Sequence, residues 1–488
     1  MPYSIRIFAA LTACAGLLTA CAAVGPDYKG PPVAAPAAIA AGHFQRADAD
    51  EARAPPPAHW WEALGDRQLT RLVVQALAAS PTIDDARARV RSARASLGVS
   101  RAQDLPRGGA TALEASVHLP TGSLGSASTT FAENAAIDTS IYSVGFDATW
   151  ELDLFGAVRR GVEGAQARME LQETQLEDVQ IELAADLADA YVSLRDAQTR
   201  LGLTRDALAL EQHTLELTRQ RRARGAAADG EVERADAALE QTAAEVSPIE
   251  GEIQQRMDQI AILTSREPGA LDSELSAPAA APPPPASTSV GDPAGLLRRR
   301  PDIRAAERRL AASSAAIGQN VAQLFPTVTL LGDIGFSSTE PGQVLNTAGF
   351  STIGAPSLSW RILDYPRIRA QIRGARADQD AAVAAYRASV LSALQDAEGA
   401  LSRFGHQRRS LAPLARFVAS SARASDLTEQ RFRAGAASLI EVLDAQRTAI
   451  RARLALAQGQ ARLTRDYVAL QKSLGLGWDG EVLSARAR

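Results

Sequence analysis

Between residues 161 and 222, apolar side chains recur every seven positions. Leu187, Leu194, Leu201, Leu208 and Leu215 form one seam, and Leu203, Leu210 and Leu217 form a second, two positions round. A strict heptad implies left-handed supercoiling against a neighbour, and two offset seams imply two neighbours. The phase returns at Val383, Val390, Ala397, Phe404, Leu411 and Val418, each 210 positions beyond a heptad position, with Pro413 predicting a local kink. About 60 helical residues make a rod on the order of 90 Å, along which the shorter helical stretches 82–104 and 231–264 can pair.

Ahead of each long helix the period falls to two. Residues 110–119, 142–152, 327–336 and 354–363 read as strands, with Val144, Phe146, Ala148 and Trp150 alternating against polar or small neighbours. Segments of about ten residues cross a bilayer when tilted, although a soluble sheet has the same alternation. Backbone groups in lipid require a closed barrel, and four strands fall short of the roughly eight of the smallest bacterial barrels. Closure then needs several copies, and a dimer, trimer or tetramer all satisfy the arithmetic.

The chain is one architecture written twice. At an offset of 220, Pro81 matches Pro301, Gly98 matches Gly318 and Pro106 matches Pro326; at 210, Trp150 matches Trp360, Gly225 matches Gly435 and Glu231 matches Glu441. Each half reads helix, two strands, long helix, helix. Ser80 and Pro81 open the first helix as cap and first-turn proline, and Pro106 and Pro326 stop the helices. The Pro/Ala-rich stretch 274–295 reads as an exposed linker between the halves, and a similar stretch spans 30–57.

Composition narrows the class. A net charge of -4 gives no indication of nucleic acid as a partner, and lysine occurs only at Lys29 and Lys472, so arginine carries nearly all positive charge. After residue 21 no window approaches an apolar 18-mer. The first twenty residues are laid out as a secretory signal peptide, and "LTAC" ending at Cys21 resembles the lipobox of bacterial lipoproteins. Cys14 would leave with the signal and Cys21 would be acylated, so the exported chain would hold neither thiol nor disulfide. Ala22 after Cys21, in place of the aspartate that retains lipoproteins in the inner membrane, points to the outer membrane. His43, His59, His118, His213 and His406 are scattered without ligand spacing, and there is no nucleophile elbow or phosphate loop. No enzyme, cofactor or metal site is expected.

The lipobox followed by "VGPDY", "HWWEALGDRQLTRLV" at 59–73, "TWELDLFGAVRR" at 149–160, "RRRPDIRAAERRLAASSAAIG" and "LGLGW" at 474–478 together resemble the TolC-type outer-membrane efflux proteins, closest to the NodT-like lipoproteins. The resemblance implies a mainly α fold with membrane β: duplicated helical hairpins forming a periplasmic α-barrel, and four strands per chain contributing to a trimeric twelve-stranded transmembrane β-barrel. It implies a passive exit duct for drugs or other toxic small molecules, with a homotrimer, outer-membrane lipid, a periplasmic adaptor and an inner-membrane transporter of the resistance-nodulation-division type as partners. The implied segments are signal peptide 1–20, lipid-anchored extended segment 21–65, helical 66–106, hairpin 107–152, helices 153–266, linker 267–295, helical 296–325, hairpin 326–362, helices 363–475 and tail 476–488. A duct for type I protein secretion and a lipid-anchored periplasmic scaffold are the competing readings.

The candidate site is "RFRAGAASLIEVLDAQR", residues 431–447. Gly435, like Gly225, breaks a long helix as a C-cap glycine would, which places both at hairpin tips. Ser438 with Glu441 is a capping-box pattern, and Asp444 lies one turn on along the same face. Helix capping alone accounts for these carboxylates; by resemblance they instead ring a constricted entrance, six to a trimer, favouring cations. In the first half Glu231 matches Glu441, but Arg234 stands opposite Asp444. Family members often carry tyrosine where Phe432 stands, so a differently wired lock is expected, with Arg433 pairing to an acid of a neighbouring hairpin. Adaptor docking is expected on the tips, residues 219–230 and 431–438.

Overall fold

The computed structural model describes residues 23–47, 54, 56–120 and 136–478. In chain order its elements are α1 Pro36–Ala41, a 3-10 turn Trp60–Leu64, α2 Arg67–Ala79, α3 Pro81–Ala102, β1 Arg107–Pro120, β2 Ala136–Leu152, α4 Ala157–Ala223, α5 Asp229–Leu263, α6 Asp272–Leu275, α7 Pro293–Arg299, α8 Pro301–Ala322, β3 Thr327–Ser338, β4 Phe350–Ser359, α9 Tyr365–Arg433 and α10 Leu439–Ser473. The long helices α4 and α9 have 67 and 69 residues. No helix among the described residues is long and apolar enough to cross a membrane. The described chain divides into two compact units, one of residues 23–31, 91–120, 136–171 and 307–384 and one of the remainder.

The first unit carries the sheet, an antiparallel meander in the order β1-β2-β3-β4. Its register sorts the side chains by chemistry. Val144, Phe146, Ala148 and Trp150 of β2 pair with Phe336, Ile334, Gly332 and Leu330 of β3, so one face is a continuous apolar surface. Ser143, Gly145 and Asp147 pair with Ser337, Gly335 and Asp333 on the other face, which is small or polar along this stretch and carries Leu331 and Ile353 beside it. Phe146 is 67% exposed and Ile334 50%, so the apolar face lies open. At the outer edges, the far sides of β1 and β4 have no strand partner among the described residues. The last strand differs from its sequence reading: β4 ends at Ser359, and Ile362–Asp364 is a 3-10 turn with Leu363 97% exposed.

The first unit also seats the segment after the lipobox. Val24 N donates to Phe155 O at 3.0 Å, and the buried Arg160 guanidinium reaches Val24 O at 3.1 Å, Asp27 at 2.6 Å and Glu163 at 2.8 Å. Gly25 has φ +91°, and a Cβ there would lie 2.5 Å from Gly318 Cα. "VGPDY" and "AVRR" are thus two halves of one contact. It holds Asp27 below the usual aspartate range, through the hydrogen bond and charge of Arg160.

In the second unit, the core gathers Trp60, Trp61, Leu69, Leu72, Leu187, Tyr191, Leu194, Phe404 and Tyr467. Asp66 explains why "WEALGDRQL" turns where it does: after Gly65 at φ +67° its carboxylate accepts from Gln68 N and Leu69 N to start α2. Tyr191 Oη donates to the other oxygen of Asp66 at 2.7 Å, tying the cap to α4. Leu187 and Leu194 are fully buried, and so are Ala190 and Ala197, each three positions after one of them, so the packed stripe of α4 is a full heptad seam and not the leucines alone.

The inter-repeat linker is a correction. Proline content predicts an exposed segment, yet Pro282, Thr288, Val290 and Pro293 are buried, and Thr464 Oγ1 of α10 donates to Pro282 O at 2.8 Å. Proline supplies apolar surface without needing a donor partner, so a strap of this composition packs well on a helical core. Pro413 in α9 and Pro248 in α5 stand inside helices that run through them, and both are exposed.

Candidate functional site

Both hairpin tips are built by the same hydrogen bonds. Gly435 N donates to Phe432 O at 2.9 Å and Ala436 N to Arg431 O at 2.8 Å, which is a Schellman closure of α9. At the end of α4, Gly225 N donates to Arg222 O and Ala226 N to Arg221 O, each at 2.8 Å. Both glycines have φ +74°, and a Cβ at either would meet no atom within 4 Å, so backbone conformation and not crowding demands glycine. Arg431 and Arg221 each reach across to the carbonyl of the residue that follows the closing glycine, Ala436 and Ala226, at 3.1 and 3.2 Å.

The tips diverge at the next helix. Ser438 Oγ accepts from Glu441 N at 3.2 Å while Glu441 Oε2 accepts from Ser438 N at 2.6 Å, completing a capping box. These bonds from the Ser438 backbone and hydroxyl hold the Glu441 carboxyl below the usual glutamate range. Ala228 occupies the matching position ahead of α5 and offers no side-chain cap; there Asp229 pairs with Arg222, and Arg219 with Asp236 at 3.2 Å.

Of the residues singled out from sequence, Glu441 and Asp444 are both exposed, and Phe432 is half-buried. Arg433 does not reach a neighbouring hairpin within the chain: it pairs with Glu429, four positions back on α9, where the helix spacing brings the two together. The lipid-attachment residue Cys21 lies outside the described residues.

Two features escaped the sequence reading. Asp147 and Asp333 are direct register partners on the sheet face opposite Phe146 and Ile334. Glu211 of α4 is buried and accepts from Arg447 Nε of α10 at 3.1 Å. The signal for the second was present: Thr204, Glu211 and Thr218 continue, at seven-residue spacing, the row of Leu183, Ala190 and Ala197.

A family described as "Outer membrane efflux protein" matches residues 72–265 and 293–476, almost the whole of the duplicated body. The chain belongs to the outer membrane efflux protein family. It is 30% identical over 480 residues to Nodulation protein T of Rhizobium leguminosarum bv. viciae, covering 98% of this chain and 94% of that protein. It is 32% identical over 421 residues to outer membrane protein OprJ of Pseudomonas aeruginosa, covering 86% of each. Among solved structures it is similar to the outer-membrane channel OprN, at 36% identity and a TM-score of 0.85 over 93% of this chain and 99% of that one. As a family member it is an outer-membrane channel of efflux machinery, with its sheet in the membrane and its helical body in the periplasm. The family is one of transport ducts, not of enzymes.

Proposed function

We propose that three copies of this chain build one efflux duct, closed by a barrel above and gated by the hairpin tips below. The open edges of the four-stranded sheet carry the reading. An apolar face for lipid and two unpaired edges are incompatible in a bilayer unless β4 of one copy joins β1 of the next. Three copies supply twelve strands, and the two heptad seams of α4 suit a cylinder in which that helix has neighbours on both sides.

At the tips, Glu441 and Asp444 of each copy ring the entrance and favour cations over anions. Phe432 has no hydroxyl to donate, so the closed mouth is held by other contacts than a tyrosine tie. Cys21 carries the acyl chains that fasten the assembly to the outer membrane. A periplasmic adaptor seats on the tips, and a transporter of the resistance-nodulation-division type supplies the energy to move drugs or other toxic small molecules through this passive component.

Detergent-extracted protein tests the assembly: a heat-sensitive oligomer giving discrete conductance steps is expected, and a stable monomer without conductance overturns it. Unchanged conductance and cation selectivity in the combined Glu441→Ala, Asp444→Ala variant would overturn the gate.

A further inference from the structure

The buried row of α4 changes character toward the tip. Leu183, Ala190 and Ala197 give way to Thr204, Glu211 and Thr218 in the same register, and all six are buried. Glu211 retains 9% of its side-chain surface and pairs through Oε1 with Arg447, although 236 positions separate them. Its Oε2 is buried with no partner among the described residues. Beside the pair lies a cavity of about 150 Å³ between α4, α5 and α10, whose lining includes Thr204, Gln241, Thr242, Glu245 and Arg451. Polar walls and room for several waters give Arg447 somewhere to go when it leaves Glu211.

We propose that Glu211 and Arg447 form a latch holding the return helix of the second hairpin against the first hairpin, doing further up the helices what a tyrosine would do at the tip. The proposal rests on the tips being the gate. A carboxylate removed from water is stabilised only while its guanidinium stays in place. Swinging α10 away from α4 therefore strands a buried charge until the cavity rehydrates it. The latch is also one-sided. The repeat places Ser421 and Ala237 at the matching positions, and neither carries a charge. In an assembly that alternates the two hairpins, one joint is latched and its pseudo-equivalent is free, which selects the pair that parts on opening.

The test uses the full-length lipoprotein in planar bilayers, with Glu211→Gln, Arg447→Gln, the double variant and Arg447→Lys, each also run as a heat-modifiable oligomer. Both single Gln variants are expected to assemble and to raise open occupancy about tenfold. Arg447→Lys stays near the parent, and the double variant is no leakier than either single, because both act on one contact. Parent-like opening in the Gln variants overturns the latch, and so does failure to assemble, which would make the pair a folding contact. If Glu441→Ala with Asp444→Ala alters selectivity while the Gln variants open normally, the latch falls and the gate stands; if neither has an effect, the gate assignment falls as well.

Discussion

Trp150 and Trp360, 210 positions apart, make the same hydrogen bond: each indole Nε1 donates to a carbonyl just past the helix that precedes its hairpin, Asp104 O at 2.9 Å and Leu324 O at 3.0 Å. Both rings are more than a third exposed, so the polar edge is fixed while the apolar body faces out. That is the posture of an interfacial tryptophan. Headgroup-proximal brominated lipid should quench these two more strongly than lipid brominated at the chain ends, in a protein whose other tryptophans are replaced by phenylalanine. Trp150→Phe should cost about 1 kcal/mol through the lost hydrogen bond, read as a lower oligomer melting temperature.

Asp147 opposite Asp333 sets like charges across adjacent strands. Asp333→Asn should leave stability unchanged or raise it by roughly 0.5 kcal/mol, since like pairs directly opposite are destabilising. Cation selectivity should fall at the same time. A marked loss of assembly in this variant would show that the pair is bridged rather than repelling.

Glu441 is held below the usual glutamate range by the Ser438 backbone and hydroxyl. For an acid with a depressed folded pKa, the ionised form is the favoured one, and the cap's contribution is present above the unfolded value and lost as pH falls through the folded value. Cation selectivity should therefore persist to more acid pH than a free glutamate allows. Ser438→Ala should move its loss upward in bilayer titrations.

Asp178 on α4 is pushed up to about 6, first by burial and then by the charges of Glu182 and Asp302. Here the folded pKa lies above the unfolded one, so stability declines as pH rises from about 4 to about 6 and stays reduced above that. Asp178→Asn should raise the melting temperature at pH 7.5, worth about 1 kcal/mol after allowing for solvent screening, and change nothing at pH 4. An equal gain at both pH values would remove titration as the cause.

Gly25→Ala puts a methyl group into Gly318 at a positive φ, and Arg160→Ala leaves Asp27 without its partner. Either change should release the segment around residue 24 from Phe155, seen as faster proteolysis between residues 29 and 47 while the oligomer persists. Wild-type protease resistance in both would mean that the contact is incidental to anchoring.

Much of this protein was legible in sequence because its signals are local and periodic. The heptads of α4 and α9, the period-two hairpins, Gly225 and Gly435 as helix closures, and the Ser438–Glu441 capping box each depend on residues within a few positions of one another. Duplication then repeated the heptads, the hairpins and the closing glycines, though not the capping box. Even the need for sister subunits followed from counting strands against what a bilayer tolerates.

What tertiary structure decided are the relationships that span the chain. Strand register placed Asp147 against Asp333, since sliding a strand by one residue would send either side chain to the opposite face. Arg160 found Asp27 and Arg447 found Glu211 only once distant segments were packed, and Arg433 paired within its own helix with Glu429, one turn back. The proline strap packed because the helical core offered it a surface, which composition alone does not reveal. Periodicity reports which face of an element is covered; it carries no information about which of many arginines will meet a given buried carboxylate.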